Sequence, residues 1–228
     1  MSLPRIATRD DWRGARVELL KKEKELTSAR DALNVERRNL PMVEIEKEYV
    51  FDGPKGKETL ADLFEGRSQL VVYHFMFGPD DEVGCKSCSF WADNFNPNVI
   101  HLQARDVSFA AVSRAPIEDL EDYRRRMGWD FHWVSSGGTD FNFDYGVSFT
   151  PEQQDQGIYN YGSLPPRNPD REGMSVFAKA NGTVFHTYSA YARGIDLLNT
   201  AYNYLDLVPK GRGEGDQGQS WVRRRDEY

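Results

Sequence analysis

Trp12, Leu19, Leu26, Leu33 and Leu40 recur every seven residues through a charge-rich segment, with Ala15 and Ala29 at some of the intermediate positions. That stripe predicts an amphipathic helix over roughly residues 9–38. Lys22 and Glu36 interrupt the second seam position, so the stripe suits packing on its own domain as well as a dimer-forming arm, and a long self-sufficient coiled coil is not expected. Pro41 ends the helix. Residues 43–51 alternate in part like a strand, 52–56 form a turn-rich break, and 59–64 read as a short helix with Gly66 just past its end. Residues 70–77 are a near-continuous apolar run of strand length, the pattern of a central parallel strand covered on both faces.

Beyond a loop at 78–84, Phe95, Val99 and Leu102 fall at helical spacing, with Pro97 expected to interrupt that helix. Residues 107–112 predict another apolar strand. A helix then follows from Pro116, with Glu118 and Asp119 at its positive end, Arg124 to Arg126 at its negative end and Gly128 as its cap. Residues 131–135 add a strand candidate, and the alternation of strands and helices implies right-handed crossovers around a parallel sheet.

The stretch 136–173 is polar, Gly/Pro-bracketed and studded with Phe141, Phe143, Tyr145, Phe149, Tyr159 and Tyr161. A loop this long needs a reason to be ordered: covering the active face, packing on another subunit, or burying its aromatics on its own domain. Asn181-Gly182 is the strongest short hairpin signal, and Leu197, Leu198, Ala201, Tyr202 and Leu205 mark a closing helix. The glycine-rich tail from Lys210 is expected to be mobile unless Trp221 and Tyr228 dock. The expected division is an N-terminal amphipathic extension at 1–41, an α/β domain at 42–209 with a loop insertion at about 136–173, and a tail at 210–228.

At 228 residues and 39% hydrophobic content the chain can bury one core with additions. Its net charge of −7 argues against nucleic acid as a main partner, and the basic clusters at 124–126 and 223–225 are expected to be solvated faces. The first residues lack the apolar core of a signal peptide, and the run at 70–77 is too short to span a bilayer, so a cytoplasmic location without a membrane partner is expected.

The two cysteines form a single motif, Cys85-Lys86-Ser87-Cys88, between the strand-like run and a helix-like segment. A helix N-terminus offers unpaired N–H groups and a positive dipole end, so a thiol there ionises more readily, and a second thiol two residues on can resolve a mixed disulfide. In a reducing compartment such a pair points to transient redox chemistry rather than a permanent staple. Asp80, Asp81 and Glu82 would disfavour a thiolate if they approached it, and Lys86 would favour it.

The element order is that of thioredoxin. The run from Cys85 through Ser89-Phe90-Trp91-Ala92-Asp93-Asn94-Phe95, together with Val112-Ser113-Arg114-Ala115-Pro116, Arg126-Met127-Gly128-Trp129, Asp140-Phe141-Asn142-Phe143-Asp144 and the stretch Val184 to Gly194, resembles a bacterial domain family of unknown function. That family has a thioredoxin-like fold and is described as predicted dithiol–disulfide oxidoreductases. The resemblance implies an α/β thioredoxin-like sandwich, a mixed central sheet flanked by helices. Two departures stand out: Gly173 and Met174 occupy the neighbourhood where thioredoxins place a cis-proline, and the Pro-xxx-Thr-xx-Cys motif of peroxiredoxins is absent around both cysteines.

Cys85 is therefore expected as attacking thiol and Cys88 as resolving thiol, with Trp91, His186 and Arg193 as candidates for the substrate pocket and His74 as a hydrogen-bonded core histidine. No cofactor is implied. The expected partners are a disulfide-containing substrate, a thiol reductant and a second copy of the chain. The alternatives are a non-catalytic thioredoxin-like interaction protein with inert thiols, and a metal site in which both thiolates and His186 hold copper or zinc.

Overall fold

The structure is a computed structural model and describes residues 4–228. Its first element is α1 (Arg9–Arg38), which begins where the Thr8 hydroxyl accepts the Asp11 amide. Asp10 and Asp11 lie at its positive end and Arg37 and Arg38 at its negative end, so the helix is stabilised along its own length. No residue of α1 is buried. Its last turn meets the sheet, where the Arg37 guanidinium lies over the Tyr188 ring at 5.6 Å.

There follow β1 (Val43–Glu44), β2 (Val50–Gly53), β3 (Gly56–Thr59), β4 (Gln69–His74), α2 (Lys86–Ala92), α3 (Asn96–Gln103), β5 (Val107–Ser113), α4 (Ile117–Met127) and β6 (His132–Ser135). The rest comprises α5 (Phe141–Asp144), α6 (Pro151–Gln156), β7 (Gly173–Ala180), β8 (Thr183–Tyr191) and α7 (Thr200–Leu205), with short 3-10 turns between them. The sheet runs β1-β8-β7-β4-β5-β6-β2-β3. β4, β5 and β6 pair in parallel, whereas β7 is antiparallel to both β4 and β8. A central strand that leads into the CxxC helix, a parallel neighbour, and an antiparallel hairpin on the other side make this a thioredoxin-like α/β fold.

Residues 43–51, expected as one strand, split between β1 and β2 at the two sides of the sheet. Tyr49 is buried between them in the core beneath the sheet, with Ile45 packed against it. Apolar alternation alone does not reveal such a crossing. The turn-rich break is a β2–β3 hairpin, and Pro97 stands in the first turn of α3, separating it from α2.

Alternation along β4 feeds two cores. Leu70 and Val72 pack with Ala110, Val112, Val134 and Phe177 on one face, and Tyr73 packs with Ala111, Trp133, Met174 and the α2 residues Cys88, Trp91 and Ala92 on the other. The long 136–173 segment buries Phe141 and Tyr145 in the first of these cores and Phe149 and Tyr159 in a smaller third cluster with Val147 and Tyr191. Own-domain burial therefore accounts for four of its six aromatics, while Tyr161 stays exposed.

The tail is docked. Trp221 meets Phe90 of α2 edge-on at 5.4 Å, and Arg224 donates to the Gly84 carbonyl and the Tyr123 hydroxyl. The basic clusters are accordingly not plain solvated faces: Arg224 clamps the loop before the thiols, and Arg126 pairs with Asp226 at 2.7 Å. Among the described residues no helix is long and apolar enough to cross a membrane.

Candidate functional site

The approach to the thiols is set by Gly84. A Cβ there would stand 2.7 Å from the Tyr123 ring and 2.9 Å from Phe75, so only glycine lets the chain pass between them. The next residue, Cys85, is the N-cap of α2, and its amide donates to the Met76 carbonyl at 3.1 Å. In α2 the amides of Ser87 and Cys88 have no helical carbonyl to bond and turn toward the Cys85 sulfur, as does the Cys88 thiol. These donors hold the Cys85 pKa down to about 6, the Cys88 thiol contributing most, although burial works against them.

Cys88 lies one helical turn further in and is fully buried. Burial pushes its pKa well up, and its sulfur accepts the Met76 amide at 3.4 Å. Both cysteines are free thiols. The pair is thus polarised, with Cys85 the thiol that ionises first and Cys88 the one held protonated.

A cavity of about 230 Å3 reaches Cys88, bordered by Tyr73, Met76, Ser87, Trp91, Glu172, Arg193, Ile195 and Gln219 among others. Trp91 forms part of its wall, fixed by an indole N–H that donates to the Ile195 carbonyl at 3.0 Å and by an edge contact with Tyr202. Arg193 stands at the rim, its side chain 89% exposed and 3.3 Å from Asp196.

His186 is not there. It sits over the opposite face of the sheet against Tyr145 and Phe177, and borders a separate cavity of about 620 Å3 with Leu40, Pro41 and Tyr161. The expectation that it faces the thiols is corrected by the β-bulge between Val176 and Phe177, near which β8 turns His186 to the Phe177 side. Its Nε2 meets the Tyr188 carbonyl and the Ser189 hydroxyl, and because a carbonyl only accepts, Nε2 carries the proton. The metal alternative loses its third ligand by the same placement; among the described residues no group of three or more His, Cys, Asp or Glu could hold a metal ion.

His74 is a buried, hydrogen-bonded histidine held between Asn142 at 3.2 Å and Ser175 at 2.9 Å, and burial lowers its pKa to about 4. A hydrogen-bonded row then runs from Ser175 to Ser189 and His186. Asp81 turns back onto the Gly78 amide at 2.7 Å, and the carboxylate that acts against both thiolates is Glu172.

Sequence reasoning missed Glu172 and Tyr73. Glu172 directly precedes Gly173, in the neighbourhood where thioredoxins carry their proline, so the signal was positional. At Gly173 a Cβ would lie 2.7 Å from the Tyr191 ring, which leaves no room for proline. Tyr73 is adjacent to His74 in an apolar strand, and strand alternation alone puts one of the two on the thiol side.

In comparison with known proteins, no curated protein matches the chain. Among solved structures it is similar to the peroxidoxin BcpB from Mycobacterium tuberculosis, at 12% identity and a TM-score of 0.49, over 72% of this chain and 94% of that one. It is also similar to a thiol:disulfide interchange protein from Bacteroides sp., at 13% identity and a TM-score of 0.46, over 77% of this chain and 97% of that one. A peroxiredoxin Q from Xanthomonas campestris gives 12% identity and a TM-score of 0.46, over 69% and 89% of the two chains. The family model described as "Bacterial protein of unknown function (DUF899)" matches residues 1–228, and the chain belongs to that family.

Proposed function

We propose that this protein is a thiol–disulfide oxidoreductase with Cys85 as nucleophile and Cys88 as resolving thiol. The observation that carries the reading is the split of the pair into an ionised thiol at the start of α2 and a buried neutral one a turn later. The Cys85 thiolate attacks a substrate disulfide and forms a mixed disulfide. Cys88 then attacks the Cys85 sulfur, releases the second substrate thiol and leaves a Cys85–Cys88 bridge, which an external thiol reductant reopens. Inert thiols would have no use for three donors gathered on one sulfur. We assign the reaction to the cytoplasm, where such reductants are available. To the same reading belongs a homodimer through α1, whose apolar stripe lies open along the helix, Leu26 being 71% exposed.

Mild oxidation of the full chain followed by mass spectrometry tests the proposal. A Cys85–Cys88 disulfide reversible by dithiothreitol is expected, with Cys85→Ser abolishing exchange and Cys88→Ser accumulating mixed disulfides. A folded protein that forms no bridge would return the chain to the interaction-protein alternative.

A further inference from the structure

We infer that the disulfide taken by this site is a small molecule carrying a neutral hydrogen-bond acceptor near its sulfur, recognised by Tyr73, and not a disulfide within a protein. The inference rests on the exchange role proposed for Cys85 and Cys88.

Tyr73 is 1% exposed and borders the cavity beside Cys88; its hydroxyl has no oxygen or nitrogen partner and lies against the Cys88 sulfur, a weak acceptor. Only two other buried side-chain atoms share that condition among the described residues, Arg16 Nη1 and Asn199 Nδ2, and neither residue borders this cavity. A buried hydroxyl without an oxygen or nitrogen acceptor is costly to a folded protein, so one on a residue that borders a cavity next to a thiol is a donor that a ligand can satisfy.

Cys85 does not border this cavity, but Cys88 does and its thiol turns toward the Cys85 sulfur, so a disulfide attacked by Cys85 sits at the cavity's edge and the size of the cavity limits what can extend into it. At about 230 Å3 it falls below the roughly 300–1,000 Å3 of sites for drug-sized ligands. The docked tail bounds it: Gln219 borders the cavity, and Lys86 Nζ donates to the Ser220 carbonyl at 3.4 Å. A polypeptide extending into the cavity would have to displace that segment. It would also find no strand edge to pair with, because β7 is bonded on both sides from its first residue, Gly173 facing His74 of β4 and Tyr191 of β8.

Charge narrows the class further. Glu172 borders the cavity 3.4 Å from Arg171, and the bordering Asp196 is held by Arg212 at 2.9 Å and by Arg193, itself on the rim and largely exposed, at 3.3 Å. An anionic limb would meet the Glu172 carboxylate beside the thiolate. A hydroxyl or an amide carbonyl would meet the Tyr73 O–H without that repulsion.

The reaction balances with the site and one external reductant. The Cys85 thiolate attacks one sulfur of R–S–S–R; the S–S bond breaks and RS− departs, taking a proton from solvent. Cys88 loses its proton and attacks the Cys85 sulfur, expelling the second RS−. Two RSH form, two electrons pass from the dithiol to the substrate, and two external thiols restore the pair.

The test uses the reduced full-length protein and four probes: bis(2-hydroxyethyl) disulfide, the similarly sized dianion dithiodiglycolate, dimethyl disulfide, which lacks an acceptor, and insulin. The second-order rate of Cys85–Cys88 bridge formation should be at least about tenfold higher for the hydroxyethyl compound than for dithiodiglycolate or insulin, the scale of one hydrogen bond or one charge contact. Tyr73→Phe should lower that rate by about tenfold, leave the dimethyl disulfide rate unchanged, and keep or raise the Tm, since it removes an unpaired hydroxyl. Faster reaction with insulin, equal losses on both small probes, or a lowered Tm would overturn the inference while leaving the exchange reading in place. Inertness toward all four would overturn both.

Discussion

Helices α1 and α2 are opposites. The first has 30 residues, good caps, charges matched to its dipole and no buried residue; the second has 7 residues, no side-chain cap, and buries Cys88, Ser89, Trp91 and Ala92. A helix of α2's length is not stable by itself, and its shape is imposed by the sheet, the Gly84 passage and the docked tail. The long helix is thus specified locally and contributes little to the core, whereas the short one is specified by the tertiary structure and holds the buried Cys88. Placing both thiols at an element that cannot form alone ties their ionisation to the completed fold.

The sharpest way to break this contrast is to disable each helix in turn. Cys85→Ser should remove disulfide exchange altogether. Replacing Leu19, Leu26 and Leu33 by serine should leave the exchange rate per thiol within about twofold while converting a dimer to a monomer by light scattering, because surface apolar groups outside the core contribute little to protomer stability. A wild-type chain that is already monomeric at tens of micromolar would withdraw the dimer, since an interface of standard size persists at that concentration. Loss of exchange in the leucine variant would instead mean that α1 completes the site.

Stability should divide along the same line. Trp91→Ala removes a wall of the cavity, its contact with Tyr202 and the hydrogen bond to Ile195. It should cost about 3–5 kcal/mol, read by denaturant unfolding. An effect near zero would show that α2 is not held by its buried face.

What could be read from sequence follows from the same physics. The span of α1, the β4 strand, the CxxC at a helix start, the α4 caps at Pro116 and Gly128 and the Asn181-Gly182 hairpin are all written in residues adjacent along the chain. The positive φ values of Asn181 and Gly182, 52° and 85°, are what that dipeptide predicts. The separation of β1 from β2, the docking of Trp221 and the arrival of Glu172 beside the thiols depend on contacts between residues far apart in sequence, and no local pattern records them. The placement of His186 was lost to one bulge, since a single-residue shift exchanges the faces of a strand.

The ionisation of Cys85 offers a finer measure. With its pKa lowered to about 6, the rate of alkylation by iodoacetamide should rise through pH 6 and level off by about pH 7, with one fast thiol per chain, because Cys88 stays protonated. Unfolding should return that midpoint toward 9.0, the ordinary thiol value. A midpoint that does not move would mean that the start of α2 contributes nothing to the ionisation.

The smallest effect distinguishes the two sources of negative charge. Glu172 opposes the thiolate, so Glu172→Gln should lower the Cys85 pKa further. At pH 6 roughly half the thiol is already ionised and the rate can gain no more than about twofold, so the measurement belongs at pH 5, where the thiolate fraction grows in proportion to the shift. A half-unit shift would raise that fraction about threefold, and the rate by only about twofold, because a less basic thiolate is a weaker nucleophile. Neutralising Asp80, Asp81 and Glu82 together should do less, since Asp81 is turned onto the Gly78 amide, and whatever these loop charges contribute should fade in high salt. If the loop variant accelerates alkylation more than Glu172→Gln does, the loop reaches the thiols in solution and the reactivity of α2 is tuned from its N-terminal approach rather than from the strand beside it.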